Sequence, residues 1–255
     1  MISQDAGGKP CLTSHGGKSA SLKIEVHADA AAVSRRAAAW IAEVAKQAIE
    51  RRDRFVLALS GGNTPRQMLR ILAAEAIDWH KVHLAQVDER VAPMGSPDRN
   101  LTHLRDTLLA RVPLPAGQVH PMPVEDADLA AAAERYGQLL VRLAGSPPLL
   151  DLVQLGLGAD GHTASLVPGD AALEVSRADV AVTATYHGRR RMTLTFPIIN
   201  RARRILWLVT GEDKAEAVAR LAQGDPSLPA SRISREPALL LADRAAAARL
   251  ASKAS

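Results

Sequence analysis

Residues 151–168 read DLVQLGLGADGHTASLVP: an apolar run stops at glycines, and Asp160 and His162 follow two positions apart. A histidine titrates near neutrality, so it can take a proton from water and return it when a partner fixes its tautomer. Asp160 and His162, held in a glycine turn, have the types and spacing for that work. The plainer alternative is that His162 only caps the turn that follows.

Other stretches carry potential chemistry. Ser60-Gly61-Gly62-Asn63-Thr64-Pro65 follows the apolar run FVLAL. Its glycines let backbone amides approach an anion without a Cβ in the way, and the helix start beyond them favours a phosphate. Pro65 suits a first helical position. The same residues equally read as a tight turn with Thr64 as helix N-cap. The pattern GxxxxGK[ST] is missing, so this is no Walker loop. Asp88-Glu89-Arg90 ends the run VHLAQV and, taken alone, reads as a strand-end ion-pair cluster. Gly156 to Gly161 formally matches GxGxxG, but in mid-chain, and Asp179 does not close a second strand, which argues against a dinucleotide site. His80 and His83 are spaced like a metal pair, yet no third ligand follows at a recognisable spacing and HExxH is absent, so no metal is expected. Ser60 and Ser165 lack the GxSxG setting of an acyl-enzyme nucleophile.

The elements that must position these residues alternate. Residues 22–27 (LKIEVH) alternate like a strand, and an Ala-rich stretch from about 30 to 52 has apolar residues at helical spacing. FVLAL (55–59) is a continuous apolar run of the kind a strand buried on both faces needs. A helix pattern RQMLRILAAEA follows, then VHLAQV (82–87), helical segments near 99–111 and 127–144, and a strand over 149–157. MTLTF (192–196), RILWLV (204–209), a helix over 214–222, a strand over 237–242 and a terminal Ala-rich helix complete the series. Strands alternating with helices predict an α/β fold with a mostly parallel sheet covered on both faces. Ligands collect beyond the carboxyl ends of such strands, where SGGNTP, DER and GADGH all fall. Three loaded loops on one sheet edge predict a single site.

Size and composition set bounds. The 255 residues are 47% hydrophobic and 23% charged, the profile of a globular chain with a substantial core. Residues 1–20 lack periodicity and are expected to be a disordered tail; residues 21–255 are expected to form one domain, without internal repeats. No apolar run approaches the roughly 20 residues that span a bilayer, and the opening residues contain no apolar leader. The one cysteine, Cys11, agrees with a reducing compartment, so a cytoplasmic location is expected. A net charge of +5 would suit a nucleic acid, but it is not gathered into a basic arm, and aromatics are only 3% of residues. Stacking platforms for single strands are therefore few. A small anionic substrate would use one or two of the arginines among 189–191 and 201–204.

Taken in order, SGGNTP, DERVAP with Asn100 downstream, GLGADGHTASLVP, RMTLTFPIIN and TGEDKAEAV resemble the 6-phosphogluconolactonases across nearly all of residues 22–242. That resemblance implies a Rossmann-like three-layer α/β sandwich related to sugar-phosphate isomerases and deaminases. It implies hydrolysis of 6-phospho-D-glucono-1,5-lactone to 6-phosphogluconate in the oxidative pentose phosphate pathway, without a cofactor. His162 would be the general base, with Asp160 shaping its turn. Substrate and phosphate would meet Ser60, Gly61, Gly62, Thr64, Asp88, Arg90, Arg191 and Lys214. Arg191 is the closest match among the three consecutive arginines; Arg90 could reach either the phosphate or the oxyanion; Asp88 would bind a sugar hydroxyl or orient Arg90.

Glucosamine-6-phosphate deaminases share the architecture, so fold alone does not choose the reaction. They carry a glutamate five residues after the histidine, where this chain has Val167, and an aromatic where it has Arg90. Val167 in place of a frequent aromatic, and Ala92 in place of a frequent valine, read as packing changes. A non-enzymatic sugar-phosphate sensor is the other alternative, disfavoured because both Asp160 and His162 are present. The expected partner is a small sugar-phosphate lactone, with neither nucleic acid nor membrane, in a monomer or weak homo-oligomer.

Overall fold

The computed structural model describes residues 21–250. The expected tail, with Cys11, lies outside the described residues. Among the described residues, ten strands and six α-helices follow in the order β1 (Lys23–His27), α1 (Ala30–Arg52), β2 (Phe55–Leu59), α2 (Asn63–Leu72), β3 (Val82–Gln86), β4 (Asp88–Arg90), α3 (Asn100–Thr107), β5 (Val119–His120), α4 (Leu129–Ala144), β6 (Leu152–Leu155), β7 (Val180–Val182), β8 (Arg191–Leu194), α5 (Phe196–Arg201), β9 (Ile205–Val209), α6 (Ala215–Gln223) and β10 (Ala238–Asp243). Seven strands form one sheet in the order β1-β10-β9-β6-β2-β3-β5, every pair parallel. Parallel strands need crossovers that cover both faces, and β2 and β9 are accordingly buried along their whole length.

Two cores result. On one face Ile41 and Ala45 of α1, Met68 and Leu72 of α2 and Leu101 and Leu104 of α3 pack on Leu57, Leu84 and Leu208. On the other, Tyr136 and Leu140 of α4, Ile198 of α5 and Val218 of α6 pack on Val56, Val153 and Trp207. The Ala-rich composition of α1 has a physical use: Ala37, Ala38 and Ala45 are fully buried, and small side chains let the long helix lie close to its neighbours. Asp29 caps its start by accepting from the Ala32 amide, and Asp53, in the left-handed region at φ 57°, ends it.

The expectations hold for the layers and fail at several individual segments. DER is a short strand, not a loop, and MTLTF does not join the main sheet. β4, β8 and β7 form a separate antiparallel sheet, with Arg90 paired to Arg191, Glu89 to Met192 and Asp88 to Thr193. The terminal Ala-rich stretch is a series of turns rather than a helix. There the Asp243 carboxylate takes the amides of Gly211 and Ala246, and only Ala247 reaches back to the Asp243 carbonyl in helical register. Finally, the 99–111 segment is α3 followed by a 3-10 turn over Leu109–Arg111, and the 214–222 helix begins at Ala215 after a 3-10 turn over Glu212–Lys214. No helix among the described residues is long and apolar enough to cross a membrane.

Candidate active site

From β2 the sheet grows through β3 to β5 on one side and through β6, β9 and β10 to β1 on the other. Crossovers leaving the carboxyl ends of β2 and β6 therefore diverge and open a crevice between them. A cleft of about 480 Å³ lies there, and its walls include Ser60, Gly61, Gly62 and Thr64 after β2, Asp88 and Arg90 of β4, His162 after β6, Arg191 of β8 and Lys214 after β9. The structure thus brings the residues expected to bind or act on substrate to one cleft, except Asp160, which stands behind the histidine, while Glu89, Ser165, His80 and His83 do not line it.

The turn after β6 is built around that histidine. Gly158 donates its amide to the His162 carbonyl at 2.8 Å, and Gly161 donates to the Gly158 carbonyl at 3.0 Å. A Cβ on Gly158 would overlap the His162 ring, and one on Gly161, at φ 82°, would overlap Leu228. His162 Nδ1 lies 2.6 Å from Asp160 Oδ1, which also accepts the His162 amide at 3.2 Å. With Nδ1–H given to a carboxylate, Nε2 is the nitrogen left to accept a proton. Tyr186 donates its hydroxyl to the other oxygen, Asp160 Oδ2, at 3.1 Å. Burial works to raise the Asp160 carboxyl, but the charge and hydrogen bonds of His162, joined by Tyr186, outweigh it and hold it below the usual carboxylate range. No helix follows Gly161: residues 163–169 are turns, so the formal GxGxxG lacks the strand-turn-helix setting of a dinucleotide site.

Asp88 forms the floor. It accepts from the Ser165 hydroxyl at 2.6 Å and from Asn100 Nδ2 at 3.3 Å, and it is buried. Burial pushes its carboxyl above the usual range, against the pull of the Ser165 hydroxyl and the Arg191 charge. Ser165 is fully buried and committed to this bond, which disposes of it as a nucleophile. Arg90 is oriented not by Asp88 directly but by the Asp98 carbonyl at 2.8 Å and Asn100 Oδ1 at 3.4 Å. Glu89, fully buried, is structural: it accepts the amides of Asn100 and Leu101 and so anchors the start of α3.

Around the glycine loop, a Cβ on Gly61 would overlap the Asn100 amide, and Gly62 sits at φ 118°. Both positions need glycine. Helix α2 opens at Asn63 with Gly62 before it, so Thr64 is not the cap and Pro65 is the third helical residue rather than the first. Thr64 Oγ1 instead meets Thr210 Oγ1 at 2.9 Å, and the Ser60 hydroxyl is given to the Gln154 carbonyl at 3.0 Å. These hydroxyls tie the loop to β6 and β9. Lys214 pairs with Asp213 at 3.0 Å, and both line the cleft. Of the three consecutive arginines, Arg191 faces the cleft while Arg189 pairs with Asp98 at 2.7 Å outside it. Among the described residues no group of three or more His, Cys, Asp or Glu could hold a metal. His83 stacks on His120 at 5.4 Å instead of pairing with His80. Asn100 and Thr210 also line the cleft and Tyr186 reaches Asp160; Asn100 lies downstream of DERVAP in sequence, whereas Tyr186 is a lone aromatic in a turn and carries no sequence signal.

Fold and cleft together define a doubly wound α/β protein with cationic walls around a histidine–aspartate pair. The chain belongs to the glucosamine-6-phosphate isomerase/6-phosphogluconolactonase family, which it matches over residues 28–241. It is 41% identical over 246 residues to the 6-phosphogluconolactonase of Mycobacterium tuberculosis, covering 91% of this chain and 100% of that one. The solved 6-phosphogluconolactonase of Trypanosoma brucei superposes with a TM-score of 0.80 at 29% identity, covering 90% of this chain and 99% of that one. A monomeric glucosamine-6-phosphate deaminase superposes at 0.79 with 23% identity, covering 89% and 100%, which shows a common fold.

Proposed function

We propose that this protein hydrolyses 6-phospho-D-glucono-1,5-lactone to 6-phospho-D-gluconate, in the oxidative pentose phosphate pathway, with His162 as general base. The observation that carries the reading is the 2.6 Å His162–Asp160 contact at a cleft walled by Arg90, Arg191 and Lys214. A lactone carbonyl is already electrophilic, so the protein need only orient a water, remove its proton and stabilise the oxyanion. Nε2 of His162 takes the water proton as its oxygen attacks the carbonyl carbon. The imidazolium, steadied by Asp160, then returns that proton to the ring oxygen as the carbon–oxygen bond breaks. Arg191 and Lys214 face the substrate phosphate together with the amides of Gly61 and Gly62 ahead of α2. Arg90, fixed by Asp98 and Asn100, adds positive charge on the same side as Arg191.

The family also contains deaminases, and Val167 bears on that choice: it is buried at the place of the relay glutamate and carries no proton. We place the protein in the cytoplasm as a monomer or weak homo-oligomer, acting on a small sugar phosphate without nucleic acid, membrane or cofactor. Purified chain with fresh lactone should release acid faster than the spontaneous background, while glucosamine 6-phosphate yields no ammonia. His162→Ala should lower kcat about 100-fold or more. Ammonia release, or undiminished turnover in a folded His162→Ala variant, would overturn the reading.

A further inference from the structure

We propose that Tyr186 is a positioning residue, fixing the carboxylate of Asp160 and the guanidinium of Arg191 at once. The inference rests on the reading of His162 as general base. Both oxygens of Asp160 are occupied: Oδ1 by the ring and amide of His162, Oδ2 by the Tyr186 hydroxyl at 3.1 Å. A carboxylate held at both ends cannot rotate, so Oδ1 stays aimed at Nδ1. The Tyr186 ring stands edge-on to the His162 ring at 5.7 Å, and Arg191 Cζ lies 5.0 Å from its centroid, within cation–π range. One side chain thereby joins the proton-carrying half of the cleft to the anion-binding half.

The backbone makes this placement deliberate rather than incidental. Tyr186 and Arg189 exchange backbone hydrogen bonds across His187 and Gly188, at φ 48° and 74°. Two positive φ values in a two-residue loop are the pattern of the type I′ hairpin turn, whose twist suits antiparallel strands. Arg189 pins that turn to the 93–99 segment through Asp98. The groups facing the Tyr186 hydroxyl and Asp160 are His162 from the β6 turn, Arg191 from β8 and His187 from the hairpin tip, whose ring packs on Tyr186 at 4.1 Å. Burial and the Asp160 charge raise the Tyr186 phenol above its ordinary value, so it remains a donor throughout the working range.

The test compares the full chain with Tyr186→Phe, Tyr186→Ala and His162→Ala. Initial rates of 6-phosphogluconolactone hydrolysis are taken between about pH 5 and pH 8, the interval in which histidine titrates, with spontaneous opening subtracted and unfolding midpoints recorded. Tyr186→Phe keeps the platform under Arg191 and deletes only the donor. Negative charge on Asp160 is then less dispersed, which strengthens its hold on a protonated imidazole. The acid limb of the kcat profile should move up by about half a pH unit, and kcat should fall about 3- to 10-fold with KM unchanged. Tyr186→Ala should show the same limb shift and also raise KM. A folded Tyr186→Phe enzyme with an unmoved acid limb overturns the inference, whether or not kcat falls, because a purely structural role would leave the limb in place. His162→Ala separates the two readings: if it stays active the base assignment fails and this inference with it, whereas an inactive His162→Ala beside an unaltered Tyr186→Phe removes only the role of Tyr186.

Discussion

Gly158→Ala should inactivate the protein without unfolding it. Gly158 has no positive φ, so its backbone tolerates alanine. The added Cβ would stand 2.5 Å from Asp160 Oδ1 and closer still to the His162 ring, where ordinary contact begins at 3.4 Å. Both members of the pair must therefore retreat by roughly 1 Å, and a misplacement of that size costs about 100-fold in rate, or about 2.7 kcal/mol of activation free energy. His162 is 25% exposed, so its ring can swing toward solvent instead of straining the core. Stability should fall by only about 1 kcal/mol. The assay is acid release from fresh lactone with the background subtracted, beside a urea unfolding curve. A double variant adds a sharper criterion: if the damage travels through the imidazole, Gly158→Ala combined with His162→Ala should be no slower than His162→Ala alone. A Gly158→Ala enzyme within about twofold of the wild-type kcat, or a double variant much slower than His162→Ala, would refute the claim that packing on Gly158 places the ring.

Three further outcomes are expected. Lys214→Ala should raise KM for the phosphorylated lactone about 10-fold while kcat changes little, since a charge-assisted contact is lost in ground and transition state alike; steady-state kinetics checks it. Tyr136→Phe should cost about 1–3 kcal/mol, because the buried phenol donates to the His120 carbonyl and accepts the Gln86 amide, which would be left unpaired; the urea midpoint should fall at constant slope. Burial, with the nearby His83, pulls His120 down to about 4. Between about pH 6.5 and 4 the unfolded chain binds a proton that the folded chain refuses, so stability present above pH 6.5 declines by up to about 3 kcal/mol as pH falls through this window. Unfolding curves at several pH values should show the decline, and His120→Gln should flatten it.

What the sequence discloses follows from how local each constraint is. The strands FVLAL and ILWLV are buried on both faces, so their character shows in five consecutive residues, and the loops at their carboxyl ends could be read as a site by topology alone. His162 and Asp160 are two residues apart, and their contact is as local as a turn. By contrast DER lacks strand composition and MTLTF, which has it, does not say which sheet it joins, because the pairing of Arg90 with Arg191 spans about a hundred residues. The committed hydroxyls of Ser60 and Thr64 are hidden for the same reason: Gln154 and Thr210 are distant in sequence. The terminal alanines have helical propensity, and Asp243 even gives the Ala246 amide the bond of a helix N-cap, yet the stretch runs as turns, because propensity is a weak prior.

The small antiparallel sheet then acquires a function that the main sheet cannot supply. Its register sets Arg90 directly opposite Arg191, so their side chains share one face, and like charges in opposed positions repel. The chain offsets that repulsion in part: Asp88 lies beside Arg191, and Arg90 is held by the Asp98 carbonyl and Asn100. Burial nonetheless pulls the Arg191 guanidinium below its ordinary value, and its Nε is buried with no hydrogen-bond partner. Two guanidinium groups kept together have a stronger need of an anion than either alone. We infer that a phosphorylated ligand would relieve the repulsion, and part of its binding energy would be drawn from a tension already set by the β4–β8 pairing.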